Sequence, residues 1–442
     1  MALHRRGRRA LWLAALAAAL LASGTAVAGE VLVESLEGES RFAPLWPGGT
    51  FDQGREADLP WLRVVTDGKG GGTFISNVRP YHPLIDFRGK FVKVWTKIDD
   101  LSRLSGMEFR LSSDRFSNSY YAFTFSRYDD EDTNIVRAGE WNILTFSFGS
   151  ARVQGEPDRS AINSIGWYVA DKGGDAPVTA YWAGMAAVDE PSEGVLTMTF
   201  DDGYDEHHKA AQLMAPYGFR GTAYVIPDVI GQFGYMTLHQ LVDLQEKYGW
   251  EVAAHHEKPF TEMPPDQLED VLLGLKRYLI ENQFFTGAEH LAYPLGKQNT
   301  SLVRPLVRKH FTTARVVATG PETLPPADPY MLRIMNVTNE TKPEDVARAL
   351  REAVEYKEWL ILMFHYMVEK PSISTEYSLA DFQAVLKQIQ KSGIRVLPLA
   401  EVWDACGRIP SSVVGLGCQV DKAVAALRQR PAGPMPASAA SR

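Results

Sequence analysis

Four short strand-like runs in the second half of this 442-residue chain each end in groups able to do chemistry, and this repetition restricts the fold more than any other feature. Val195 to Phe200 delivers Asp201-Asp202-Gly203, and Trp250 to Ala254 delivers His255-His256-Glu257. His290 to Tyr293 leads into Pro294-Leu295-Gly296, and Trp359 to Phe364 ends in His365. Helix-period segments lie between and after them: Glu206 to Met214, Thr237 to Tyr248, Pro265 to Phe284, Asn299 to Lys309, Pro343 to Tyr356 and Leu379 to Ser392. Strands alternating with helices specify a parallel α/β architecture. Sites in such folds are assembled just beyond the carboxyl ends of the strands. Periodicity alone does not separate an open sheet from a closed barrel.

The residue types fit hydrolysis. Two adjacent carboxylates at a strand end can divide the work, one binding a metal while the other takes a proton from water. Asp-Asp-Gly is also ordinary turn composition, so the pair gains weight only from the other three strand ends. The Pro294 to Gly296 turn can aim backbone amides at an anionic intermediate.

The series resembles the polysaccharide deacetylase family, the NodB-homology domain of carbohydrate esterase family 4, over about Val195 to Asp404. Thr199-Phe200-Asp201-Asp202-Gly203 matches the family's first motif, Tyr293-Pro294-Leu295-Gly296 a variant of its third, and Leu360 to His365 its last. The resemblance implies a distorted (β/α) barrel of about seven strands. It implies Asp201 as general base, Asp202 and His255 as ligands of one divalent metal ion, zinc above others, and His365 as the acid that protonates the leaving group. The backbone N–H of Leu295 is then the oxyanion donor, and Tyr204, Tyr293 and Pro294 line the substrate.

Two departures stand out. Four residues after His255, where the family has a second His, this chain has Pro259, so another donor must complete the site. His256 is the first choice, through a bend in the chain, with Glu257 close behind. The Arg that often opens the third motif is replaced by Ala292, and Arg315 is the candidate to brace Asp201 from another strand. His207, His208 and His239 fall on helix patterns and read as surface or rim residues.

Arg5, Arg6, Arg8 and Arg9 precede an apolar run from Ala10 to Ala22, and Ala26-Val27-Ala28 supplies a small-residue cleavage pattern. Residues 1–28 therefore read as a signal peptide, with a secreted or periplasmic mature protein and no stable membrane insertion. Removing this segment's four basic residues leaves 42 against 54 acidic ones, a formal charge of −12. Such an acidic chain disfavours nucleic acid. In an oxidising compartment Cys406 and Cys418 are expected to pair, pinning a segment at 406–420. Residues 421–442 are poor in large apolar groups and read as a disordered tail.

Residues 29–190 differ. Period-two alternation recurs in Lys90 to Ile98, Met107 to Ser112, Tyr120 to Ser126, Asn142 to Phe148, Ser164 to Val169 and Val178 to Met185, with Gly, Asp and Asn between. An all-β, jelly-roll-like sandwich follows, ahead of a deacetylase domain at 191–405 with no flexible linker. Trp141, Trp167, Tyr168, Tyr181 and Trp182 offer rings for sugar stacking, although alternation must bury about half of them. The leading expectation is a secreted metal-dependent deacetylase acting on an acetylated glycan, N-acetyl before O-acetyl. Its rival is a catalytically silent glycan-binding protein on the same fold, and hydrolysis of a small acyl amide uses the same residues. The glycan, the metal and the oligomeric state are left open, since Asp and His suit several divalent metals.

Overall fold

The computed structural model describes residues 29–46 and 48–407. The expected signal peptide and tail lie outside the described residues. Cys418 does too, and with it the expected disulfide.

The first half forms two antiparallel sheets packed face to face. One has the strand order Gly49–Glu56, Leu59–Thr66, Thr179–Asp189, Lys90–Ile98, Asn142–Phe146, with Glu30–Glu34 along the far half of Thr179–Asp189. The other runs Arg152–Gln154, Tyr120–Phe123, Leu104–Ser112, Ser164–Asp171, Gly72–Asn77, Phe42–Trp46. Alternate residues of both sheets fill the space between, among them Leu62, Val64, Ile75, Val92, Phe109, Trp167 and Trp182. Four strands between residues 42 and 77 were not singled out by alternation. Leu59–Thr66 hides it because Trp61 and Val65 occupy the half-exposed face, while Gly49–Glu56 is an edge strand that buries no residue fully.

The second half closes on itself. Seven parallel strands, β1 (Val195–Asp202), β2 (Thr222–Val225), β3 (Glu251–Ala254), β4 (His290–Ala292), β5 (Thr313–Thr319), β6 (Leu332–Asn336) and β7 (Trp359–Phe364), pair in sequence order, and β7 returns to β1. Helices α1 (Glu206–Met214), α2 (Leu238–Glu246), α3 (Pro265–Glu281), α4 (Val303–His310), α5 (Pro343–Glu355) and α6 (Leu379–Ser392) ring the barrel. The connection from β5 to β6 has no α-helix, which makes the barrel a distorted one. Local chemistry sets these elements. Thr237 and Gln240 form a reciprocal capping box at the start of α2. Leu268, Leu272, Leu275 and Leu279 recur at helical spacing to bury one face of α3.

Side-chain parity along the strands divides two cores. Leu196, Met198 and Phe200 of β1, with Leu360, Leu362 and Phe364 of β7, pack outward against the helices. Val195, Ile361, Met363, Ala253 and Ala292 point into the barrel. Asp201, His255, Arg315 and His365 fall on the inward parity at or just beyond the same mouth.

The domains meet directly. Thr145 and Thr323 hydroxyls lie 2.5 Å apart, and Ser147 donates to the buried Glu358. No described helix is long and apolar enough to cross a membrane.

Candidate active site

Asp201 sits at the barrel mouth and is buried. Arg315 donates through Nη2 to Asp201 Oδ2 at 2.5 Å and is itself only 1 % exposed. Register explains the arrangement. Arg315 on β5 is the cross-strand partner of Ala292 on β4, so a guanidinium one strand over stands beside the position where the resembling family has its Arg. His365 Nε2 lies 4.0 Å from the same oxygen. Asp201 Oδ1 is buried with no hydrogen-bond partner in the structure, leaving one carboxylate oxygen to accept a proton.

Asp202 breaks the alternation. Its φ of 77° is left-handed, rare for a residue other than Gly, and turns its carboxylate toward His255. Asp202 Oδ1 and His255 Nε2 are 3.3 Å apart. Two zinc ligands at about 2.0–2.1 Å in tetrahedral array stand about 3.3 Å from one another, so the pair has the spacing for a shared ion. His255 Nδ1 donates to the Ala292 carbonyl at 2.8 Å, so the neutral ring would carry its lone pair on Nε2, whereas the imidazolium donates from Nε2 to Asp202. Burial opposes ionisation of Asp202, but the His255 hydrogen bond, the charges of His255 and His365 and the Tyr204 hydroxyl outweigh it and hold the carboxyl at about 2. Burial likewise opposes the imidazolium of His255, yet Asp202 and Asp201 raise its pKa above the ordinary value.

The third ligand expected from sequence is not there. Strand β3 stops at Ala254, and His256 Nδ1 accepts from the Lys258 N–H at 3.0 Å, with its ring beside Phe260. Parity sends His255 inward and its neighbour away, and the bend expected to bring His256 back does not form. Glu257 is exposed. Among the described residues, no three His, Cys, Asp or Glu side chains converge as a metal site.

The Pro294–Gly296 turn is unusual in conformation. Leu295 has φ 54°, ψ 15°, and Gly296 has φ 69°. A non-glycine residue held there costs on the order of 1–2 kcal/mol, and such strain persists only where the surroundings over-determine it. The first N–H groups of a helical turn have no partner inside it, and Pro294 has none, so the N–H of Leu295 is the first available donor. The Leu295 side chain is 64 % exposed.

The expected lining residues need correction. Tyr293 has the outward parity of β4 and is buried in the strand–helix core, and Pro294 is buried as well. Tyr204 is nearly buried, stacked 3.7 Å from Tyr366 and 5.1 Å from Tyr235 between ring centroids. Its hydroxyl engages Tyr366 and Asp202. Tyr366 and Tyr235 are the partly exposed rings of this column. Tyr366, directly after His365, was the local signal that could have found them.

His207 was expected on the rim and is 0 % exposed, with Nε2 2.7 Å from the His365 carbonyl. His208 pairs with Asp243 at 3.3 Å. In the sandwich, Trp141, Trp167 and Trp182 are buried, which removes them as stacking surfaces, whereas Tyr168 and Tyr181 are half-buried.

Residues 189–314 match the family model described as polysaccharide deacetylase. YxkH of Bacillus subtilis (strain 168), which carries the name of a polysaccharide deacetylase, is 26% identical over 118 residues, covering 26% of this chain. That match spans 42% of YxkH, less than half its length. The family 4 carbohydrate esterase from Streptomyces lividans, solved with acetate, is 15% identical over 46% of this chain and 91% of its own, with a TM-score of 0.34. The family 11 carbohydrate-binding module from Clostridium thermocellum, solved with a β-1,3-1,4-mixed-linked tetrasaccharide, is 13% identical over 36% of this chain and 95% of its own, with a TM-score of 0.27. The Asp201-Asp202 motif lies inside the span that matches the polysaccharide deacetylase model, on the first strand of the seven-stranded barrel, so the family similarity and the candidate site fall on the same residues.

Proposed function

We propose that this protein is a secreted, metal-dependent hydrolase that removes acetyl groups from an acetylated glycan, with N-acetyl groups preferred to O-acetyl groups. The observation that carries the reading is Asp201: one oxygen braced by Arg315, the other buried without a partner, beside His365 and the Asp202–His255 pair. Asp202 and His255 would hold the divalent ion, and zinc suits a carboxylate and an imidazole. Such an ion, when bound, polarises the acetyl carbonyl and lowers the pKa of water.

The chain's own groups supply the rest. Asp201 accepts the proton of the attacking water through Oδ1, while Arg315 keeps Oδ2 occupied and the carboxylate oriented. The N–H of Leu295 stabilises the oxyanion as the acyl carbon becomes tetrahedral. Collapse of that intermediate breaks the bond to the sugar nitrogen, and His365 as imidazolium gives the proton that lets the amine leave with acetate as co-product. Export rests on the basic, apolar and small-residue pattern of residues 1–28.

The test is acetate release from N-acetylated and O-acetylated glycans by wild type and Asp201→Asn. Release by wild type on an N-acetylated polymer, abolished in Asp201→Asn, is the expected result. A second reading, a catalytically silent glycan-binding protein, is favoured by the absence of a third converging donor among the described residues. A wild type that takes up no metal, releases no acetate and still binds the glycan would establish that reading instead.

A further inference from the structure

Leu295 is held in its left-handed conformation from two sides, and only one of them is the barrel. On the barrel side, Tyr293 N–H donates to the Arg315 carbonyl at 3.0 Å, and a Cβ on Gly296 would lie 2.5 Å from Val317. On the other side stands a loop of the sandwich, Tyr128 to Asn134. Lys297 Nζ pairs with Asp130 at 2.9 Å, and Gln298 N–H donates to the Asp132 carbonyl at 3.0 Å. Gln298, 0 % exposed, also donates through Nε2 to the Asn134 carbonyl at 3.2 Å. At the end of β5, Tyr128 Oη accepts from the Thr319 N–H at 2.8 Å.

The sandwich loop is itself braced. Asn134 accepts from the Tyr128 N–H at 2.8 Å and donates to its carbonyl at 3.0 Å. Asp130 caps the short turn Glu131–Thr133, and Arg137 Nη1 donates to the Glu131 carbonyl at 2.6 Å. A rigid loop that grips the two residues following a strained turn over-determines that turn's conformation, which is the condition for strain to persist.

We infer that the sandwich is a working part of the hydrolytic site, its Tyr128–Asn134 loop holding the Pro294–Gly296 turn so that the Leu295 N–H meets the oxyanion. Tyr128, Asp130, Asn134 and Gln298 are then positioning residues. The inference rests on the deacetylase reading for its effect on rate, but the grip itself is measurable without activity. An isolated barrel would keep Asp201, Arg315 and His365 and lose this donor's alignment. A displacement of the order of 1 Å at such a group is enough for about a hundredfold loss of rate.

The test uses the full chain with Tyr128→Phe, Gln298→Leu and, as a control elsewhere on the domain interface, Thr145→Val. Acetate release and amide hydrogen exchange across 294–298 are measured on each. Expected in the first two is a kcat lowered roughly 10- to 100-fold with KM little changed and faster exchange at 294–298. Thr145→Val should leave both as in wild type. Exchange at 294–298 unchanged in both Tyr128→Phe and Gln298→Leu overturns the inference, as does a kcat within twofold of an active wild type. A wild type inactive on every glycan, with exchange still accelerated in the variants, would count against the deacetylase reading and leave the grip established.

Discussion

His207 Nε2–H donates to the carbonyl of His365 at 2.7 Å, tying the first helix of the barrel to the strand end that carries the proposed acid. The carbonyl can only accept, so the ring must carry its proton on Nε2. Burial disfavours the imidazolium and pushes the His207 pKa down to about 4, so the ring is neutral at pH 7.

Replacing His207 by Phe should therefore loosen the His365 backbone rather than remove a reacting group. We expect kcat to fall about tenfold and stability to drop by about 1–3 kcal/mol, with His207→Gln, which keeps a donor, close to wild type. Acetate release and urea unfolding of the two variants decide it. Equal behaviour of His207→Phe and wild type in both would remove the hydrogen bond from the account.

Arg315 and Asp201 form a buried ion pair, so removing one partner costs more than removing both charges. Arg315→Met should destabilise the protein by about 3–5 kcal/mol, and adding Asp201→Asn should recover a large part of that loss. Urea midpoints of the single and double variants give the comparison. A double variant as unstable as Arg315→Met would mean that the charge of Asp201 is not what Arg315 neutralises.

Metal analysis of chelator-free protein separates the candidate ligands. Asp202→Ala and His255→Ala should lose the ion, whereas Asp201→Asn and His256→Ala should keep it, because His256 Nδ1 is turned to Lys258. Loss of metal in His256→Ala would show that the loop after β3 rearranges on binding.

Glu251 gives the stability a pH dependence away from the site. Burial raises its carboxyl to about 7, against the hydrogen bonds it accepts from Ala400 N–H and the Thr222 hydroxyl. The folded state thus binds the proton more tightly than the unfolded one. Its contribution is fully present below about 4.5 and is lost as pH rises through about 7, a difference of roughly 3 kcal/mol over the whole window. Glu251→Gln should flatten the Tm profile between those pH values. An unchanged profile would show that Glu251 does not titrate there.

The grouping of the candidate site was legible because it is local to strand ends. Asp201, Asp202, His255 and His365 each follow an apolar run directly, and parallel strands in one barrel bring such ends to one mouth whatever their distance in sequence. His256 was misread because one residue's shift along a strand reverses the side to which a side chain points, and sequence does not say where the strand stops. Sandwich strands carrying apolar residues on both faces lost their alternation for a related reason.

What the sequence determined by itself is therefore a parallel α/β half behind an all-β half, and the inventory of chemical groups, since these follow from short-range periodicity and residue type, whereas closure into a barrel was implied only by the family resemblance. Tertiary structure decided the rest. That Arg315 reaches Asp201 depends on the register between β4 and β5, that His207 serves His365 depends on how α1 packs, and that a sandwich loop grips Lys297 and Gln298 depends on two domains docking across more than 160 residues of chain. Each is a contact between distant segments, fixed by packing and burial that no local pattern of residues encodes.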